Sequence, residues 1–138
     1  MRVARWLIIA LAALVAGWMV FDGTRALVVG DYVTPSSGRY AGRLGPWAGL
    51  VTAIGVDPRG TFMKLFFVAY GLTWLLVIVG FARGRAWSWP AMVAAAAGSL
   101  WYLVIGTASS LAQLVLLMLV RARASHPARP RRSSIATT

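Results

Sequence analysis

The chain of 138 residues has no cysteine, one histidine and only three acidic residues. The absence of cysteine excludes disulfides, thiolate metal sites and dithiol redox chemistry. The three carboxylates, Asp22, Asp31 and Asp57, do not occur as a pair, and His126 stands alone in a polar tail. No glycine-rich phosphate-binding motif follows a strand pattern. We therefore expect no catalytic residues, no metal site and no cofactor.

Apolar residues are abundant instead. They make up 59% of the chain, and charged residues make up 12%. In a typical soluble domain, about 50% of the residues are apolar and about 25% are charged. This composition predicts an integral membrane protein. The formal net charge of +11 comes mostly from arginines at the ends of apolar runs, a pattern typical of the positive-inside rule. We therefore expect these cations to orient the chain in a membrane, and we expect no nucleic-acid partner.

The apolar runs predict an all-α fold, an integral membrane four-helix bundle. One membrane span needs about 20 apolar residues, and this length fits the first two runs. Gly30 is suited to end the first helix, while Asp57 and Pro58 are suited to begin the second as its N-cap and first helical residue. The four helices are predicted over residues 6–29, 58–82, 89–105 and 109–123.

The third and fourth helices come from one long apolar stretch, residues 87–120, which exceeds the roughly 20 residues of a single span. We expect it to turn near residues 106–110, where serine and threonine hydroxyls can satisfy backbone groups. Small residues over 91–98 predict a central contact helix. In the first helix, Ala12 and Ala16 predict a flat strip against which another backbone can pack closely, as do Ala13 and Gly17.

The amino-terminal run also resembles a secretory signal peptide with a cleavage site near Ala16 and Gly17. The apolar run continues past this site to Phe21 and resumes over residues 26–29. We therefore favour a first helix that is not cleaved. Residues 1–120 are then a single four-helix transmembrane domain.

Residues 30–56 form the one long polar connection, which we expect outside the membrane. Within it, Trp47, Leu50, Val51 and Ile54 recur on one side of a short helical pattern that favours a helix lying in the interface. Trp47 is expected at headgroup level and is a candidate lid over the bundle. The loop also mixes cations with aromatic residues, which could bind an anionic or sugar ligand or only anchor the loop on the membrane: Tyr32, Arg39, Tyr40, Arg43 and Trp47.

Polar residues interrupt the apolar helices at a few points. Asp22 and Lys64 fall at comparable depth in two antiparallel helices, so we predict that Asp22 faces the second helix and is neutralised by Lys64 or Arg25. Gln113 should point inward, because a buried amide in lipid needs a partner. The candidate polar cluster could line a small cavity or could only supply interhelical hydrogen bonds. Its members are Asp22, Arg25, Lys64, Tyr70, Thr73, Tyr102 and Gln113.

From residue 121 onward the sequence is polar and basic, which predicts a disordered cytoplasmic tail over 121–138. Such a tail is attracted to anionic lipid headgroups in the bilayer. Together with Arg2, Arg5, Arg83 and Arg85, the five tail arginines place nine of the 14 basic residues on one side of the membrane, so four spans with both termini cytoplasmic, in the cytoplasmic membrane, is the favoured topology. The arginines expected to contact lipid are Arg121, Arg123, Arg129, Arg131 and Arg132.

Two segments carry a family resemblance. The stretch D-G-T-R-A-L-V-V-G-D-Y-V-T-P-S at residues 22–36 and the stretch W-Y-L-V-I-G-T at residues 101–107 resemble an uncharacterised family of small four-helix bacterial membrane proteins. The resemblance covers most of residues 1–120. In overall shape the chain is also similar to the small DoxX-like bundles. Neither resemblance implies an activity.

Two functions remain open from the sequence. The first is a noncatalytic subunit or accessory of a membrane assembly, which packs against a partner protein or a second copy through its small-residue faces. This hypothesis needs part of the 91–98 strip to remain uncovered. The second is a ligand-binding or transport bundle with an outward-facing cavity beneath Trp47. That hypothesis needs Asp22, Lys64, Tyr70 and Gln113 to converge.

Overall fold

The computed structural model describes residues 2–100, 102 and 104–125. Across these residues the chain is all-helical, with no strand, which confirms the all-α part of the predicted fold class. The five helices are α1 (Arg2–Val29), α2 (Pro46–Ala53), α3 (Thr61–Ala82), α4 (Ser88–Gly98) and α5 (Val104–Ser125). Three stretches are long and apolar enough to cross a membrane: Arg2–Val29, Thr61–Ala82 and Thr107–Ser125.

The helices run antiparallel to their neighbours. α1 packs mainly against α3 and also contacts α5, while α4 contacts both α3 and α5. The Arg5 side chain contacts the last turn of α3, and Arg121 near the end of α5 stacks on Trp89 at the start of α4. We call this side of the molecule, with the start of α1 and the end of α5, the basic end. The side with the end of α1, α2 and the start of α3 is the loop end.

Close backbone packing joins α1 to α3, as the small residues of the first helix predict. Ala12 and Ala16 are fully buried. A Cβ atom added to Gly71 of α3 would lie 2.7 Å from the carbonyl oxygen of Ala16, and one added to Gly23 of α1 would lie 3.0 Å from the carbonyl oxygen of Lys64. At Gly71 a side chain would collide with the backbone of α1, and at Gly23 its neighbours would have to shift, so the two helices approach closely at both points.

The ends of the first two long helices have clear local causes. Gly30 ends α1 with φ of +98°, and its N–H donates to the Ala26 carbonyl, which confirms the predicted stop. At the end of α3, Gly84 has φ of +70°, and the N–H of Arg85 donates to the Gly80 carbonyl. These are the features of a Schellman cap.

The start of α3 differs from the prediction. The helix begins at Thr61 after a Gly60 N-cap, three residues later than the predicted start at Pro58. The Asp57 carboxylate accepts from the N–H of Arg59 at 3.0 Å, and this bond closes a tight turn. The carboxylate that was expected to cap the helix therefore stabilises the turn before it.

The α4–α5 connection also differs. α4 ends at Gly98 rather than near residue 105, and α5 begins at Val104 rather than at 109. The predicted hydroxyl residues lie within α5 and reach across to α4: the Ser110 hydroxyl is 2.7 Å from that of Ser99, and Thr107 donates to the Leu100 carbonyl. With 11 residues, about 16 Å, α4 is too short to span a membrane alone.

The tail prediction is corrected at its beginning, because α5 continues as a helix through Ser125. Arg121 and Arg123 therefore belong to the helix. The remaining tail arginines, Arg129, Arg131 and Arg132, lie outside the described residues, as does His126.

Candidate functional site

Four aromatic rings meet at the loop end. Tyr32 comes from the loop after α1, Trp47 from α2, Phe67 from α3 and Tyr102 from the connection before α5. The ring centroid of Trp47 lies 5.0 Å from Phe67 and 5.4 Å from Tyr32, and that of Tyr102 lies 4.8 Å from Phe67. All four are at most 3% exposed. The aromatic cluster therefore joins the loop after α1, the helices α2 and α3, and the connection before α5.

α2 forms where its one-sided pattern predicts a short helix, and Trp47 and Val51 are its buried residues. The expected place of Trp47 at headgroup level stays a prediction, but its ring is only 3% exposed and is packed among other rings. Leu50 and Ile54 on the other side of the helix are 56% and 77% exposed. Trp47 therefore covers the ends of the long helices as a packed plug.

Asp22 borders the aromatic cluster and is only 6% exposed. One carboxylate oxygen accepts from the backbone N–H of Val33 at 2.7 Å, and the other lies 3.5 Å from the hydroxyl of Tyr102. The Val33 bond connects the last turns of α1 to the loop that follows, so Asp22 fixes the position at which the loop turns back over the helices.

The predicted ion pair of Asp22 with Lys64 or Arg25 is not formed. Lys64 donates to the carbonyl of Gly30 at 2.7 Å, and Arg25 donates to the carbonyl of Asp31 at 2.9 Å. Both acceptors follow the last turn of α1, where carbonyl groups lack helical partners and attract cations. These nearby acceptors draw both cations away from the buried carboxylate.

The one ion pair within the described residues joins Asp31 to Arg59 at 3.0 Å. Arg59 also donates to the carbonyl of Gly42 at 2.9 Å, so a single guanidinium ties two parts of the loop to the turn before α3. The hydrogen bond from Arg59 holds the pKa of the Asp31 carboxyl below its ordinary value.

Tyr32, next to Asp31, lies on the inner side of this tied loop. Burial raises the pKa of the Tyr32 phenol. Its hydroxyl has no hydrogen-bond partner in the described part of the chain. The phenol therefore stays neutral, and its ring contributes mainly by packing.

The other predicted polar residues lie apart from one another. The hydroxyl of Tyr70 donates to the carbonyl of Ala95 at 2.7 Å and joins α3 to α4. Thr73 is exposed and donates to the carbonyl of Ala69 in its own helix. Gln113 is fully buried, which confirms that it points inward.

The amide of Gln113 has weak partners. Its NH₂ group lies 3.9 Å from the sulfur of Met92, and its carbonyl oxygen has no partner among the described residues. An unsatisfied buried acceptor costs about 1–3 kcal/mol. Of the seven members of the predicted cluster, the structure brings only Asp22 and Tyr102 into contact with each other.

Sequence reasoning did not identify Phe67 as the centre of the aromatic cluster. A signal was present, because Met63, Phe67, Gly71, Trp74 and Ile78 recur at helical spacing and are the buried face of α3. The apolar residues around them hide this periodicity in a membrane helix.

The described residues contain no group of three histidine, cysteine, aspartate or glutamate side chains that could hold a metal ion. The fold thus defines a helical protein with three stretches capable of crossing a membrane and a closed aromatic cluster at one end. No family model, no curated protein and no solved structure matches the chain.

Proposed function

We propose that this chain is a small noncatalytic protein of the bacterial cytoplasmic membrane that serves as a subunit or accessory of a larger membrane assembly. It forms a four-helix bundle, in which α4 and the connection after it take the place of a full span, and both termini face the cytoplasm. The partner is another membrane protein or a second copy of this chain.

The observation that carries this proposal is the division of the small-residue strip on α4. Ala96 is fully buried against the rest of the molecule, whereas Ala94 and Ala97 are exposed. These two residues are three positions apart and therefore lie on one side of the helix. Small side chains on an exposed membrane helix allow a second helix to approach closely, so the strip retains a surface for a partner.

The transport alternative has less support, because its four polar residues do not converge. Asp22 contacts Val33 and Tyr102, Lys64 contacts Gly30, Tyr70 contacts Ala95, and Gln113 contacts Met92. Each side chain is held by a different group. The ring of Trp47 packs against Tyr32 and Phe67 beneath α2. A cavity of about 430 Å³ does lie beside α2, but none of the four polar residues lines it.

The absence of cysteine makes a cross-linking test direct. A single cysteine at Ala97, on the exposed side of α4, is labelled with a benzophenone maleimide, which on irradiation inserts into C–H bonds of a neighbouring protein and should give a discrete cross-linked adduct in native membranes. The matched control is a single cysteine at Ala112, an exposed alanine on α5. An adduct of twice the chain mass indicates a homo-oligomer, and another mass indicates a different subunit.

Substitution gives a second readout. Ala97→Leu should reduce recovery of the assembly about tenfold, as for a loss of about 1.4 kcal/mol, and Ala112→Leu should leave it unchanged. Equal cross-linking at the two positions, or none at Ala97, contradicts the proposal.

Labelling with a membrane-impermeant maleimide tests the topology, since Ser37→Cys should react from outside the cell and Ala86→Cys should not.

A further inference from the structure

A groove of about 370 Å³ opens at the basic end, away from the aromatic cluster. It lies between the start of α1, the end of α3 and the paired ends of α4 and α5. We call it the basic groove. Its lining includes three arginines and three large apolar residues: Arg2, Arg5, Arg85, Phe81, Trp89 and Val120.

The cations of the basic groove have no acidic partner within the molecule. The only three acidic side chains of the chain are Asp22, Asp31 and Asp57, and all three belong to the loop end. The guanidinium groups of Arg2 and Arg85 make no hydrogen bond to any residue that the structure describes. Neutralisation of these charges must therefore come from another molecule.

Arg5 is held in place from one side only. Its Nη2 group donates to the carbonyls of Phe81 at 2.8 Å and Ala82 at 2.9 Å, and its guanidinium lies 5.7 Å from the centroid of the Phe81 ring. A cation at the carboxyl end of a helix is favourable, but the helix end carries only about half a negative charge. No residue that the structure describes accepts a hydrogen bond from Nε or Nη1 of Arg5, so these donors remain available to a ligand.

The other walls of the basic groove are apolar. Trp89 and Val120 are partly buried, and the guanidinium of Arg121 stacks over the Trp89 ring at 4.2 Å. A bare inorganic anion would leave this apolar lining in contact with water. A ligand with an anionic head and a hydrocarbon chain would contact both parts of the groove, the head binding the arginines and the chain covering the apolar wall.

We propose that the basic groove binds one anionic phospholipid. The phosphate lies among Arg2, Arg5 and Arg85, and the upper part of one acyl chain lies along Phe81, Trp89 and Val120. The groove lies at the ends of all three stretches that are long and apolar enough to cross a membrane, which places it where lipid headgroups meet the hydrocarbon core. This defined site differs from diffuse attraction of a basic tail to a charged surface, because it depends on particular arginines.

Native mass spectrometry of the full chain in mild detergent provides the test. The delipidated protein is titrated with dioleoylphosphatidylglycerol and, separately, with zwitterionic dioleoylphosphatidylcholine. We expect one tightly retained phosphatidylglycerol and no comparable retention of phosphatidylcholine. Arg85→Gln and Arg2→Gln should each weaken phosphatidylglycerol binding about fivefold, the effect of one cation near anionic lipid.

Arg83→Gln is the matched control. Arg83 is exposed and lies two residues from Arg85, but it does not line the groove. It removes the same charge at the same end and should change the affinity by less than about twofold, since only its long-range attraction is lost. Arg5 is left unaltered because it also caps α3. Unchanged circular dichroism and melting temperature verify that the variants remain folded.

Three results overturn the proposal. Equal weakening by Arg83→Gln and Arg85→Gln would mean diffuse electrostatic attraction without a site. No weakening by either Arg2→Gln or Arg85→Gln would mean that the groove is not where the lipid binds. Full displacement of the lipid by excess inorganic phosphate would mean that the groove recognises a free anion, with no contribution from the acyl chain.

Discussion

The contact between α1 and α3 at Gly71 gives the sharpest prediction for stability. A Cβ atom at this position would lie 2.7 Å from both the Ala16 carbonyl oxygen and a methyl carbon of Val20, where ordinary contacts begin at 3.4 Å. The Val20 methyl group can turn aside. The Ala16 carbonyl cannot, because it belongs to the helix backbone, so Gly71→Ala must push the two helices apart.

The expected cost combines two effects of opposite sign. Overpacking a close contact costs about 1–3 kcal/mol, and replacing glycine by alanine within a helix gains up to about 1 kcal/mol. We therefore expect Gly71→Ala to destabilise the protein by about 1–2 kcal/mol. The control is Gly17→Ala in α1, where an added Cβ meets nothing within 4 Å, so only the gain remains and this variant should be slightly more stable.

Equilibrium unfolding in mixed micelles, followed by circular dichroism, measures both variants. A double variant identifies the cause. Val20→Ala removes the methyl contact but leaves the Ala16 carbonyl in place, so it should rescue only part of the loss caused by Gly71→Ala. If Gly71→Ala is as stable as the unaltered protein, or if Gly71→Ala and Gly17→Ala shift stability in the same direction, the close packing of α1 on α3 is refuted.

Two further predictions concern the loop end. Trp47→Ala removes the plug of the aromatic cluster and should cost about 3–5 kcal/mol in a thermal or denaturant melt, whereas Leu50→Ala, on the exposed side of the same helix, should stay within about 0.5 kcal/mol; similar losses for both would show that Trp47 is not packed in the core. Because the pKa of Asp31 is lowered in the folded protein, its pair with Arg59 stabilises the fold above the ordinary aspartate pKa of about 3.9. That contribution is lost as the pH falls through the lower folded value. Both partners are 46% exposed, so the effect should be under about 1 kcal/mol. Asp31→Asn should remove this part of the acid sensitivity, and an unchanged pH profile would contradict the role of the pair.

Local chemistry explains which parts of the fold could be predicted. The stop at Gly30 follows from its tolerance of positive φ, and the place of α2 follows from helical spacing, although only Trp47 and Val51 of its four predicted residues are buried. The start of α3 was misplaced because Asp57 can cap a helix or close a turn, and the residues near it do not decide between the two. The α4–α5 turn was predicted too late in the chain because Ser110 was expected to lie in the turn. The hydroxyl of Ser110 instead contacts that of Ser99 from within α5.

The candidate site was harder to predict because its contacts are long-range. Asp22 and Val33 meet through a loop that turns back on α1, and Tyr102 reaches Asp22 from a distant part of the chain. The sequence places Asp22 and Lys64 at a similar depth in the membrane, which predicts a pair. It does not show which backbone carbonyls compete for the lysine, and one of these carbonyls is the partner that Lys64 has in the structure.

The bond from Arg5 to the end of α3 has a consequence for biogenesis. The two partners are separated by 76 residues or more along the chain, so the arginine leaves the ribosome long before its acceptors do. The contact can close only when α3 has been inserted beside α1. The finished α1–α3 pair would then serve as the template onto which the later-synthesised α4 and α5 dock.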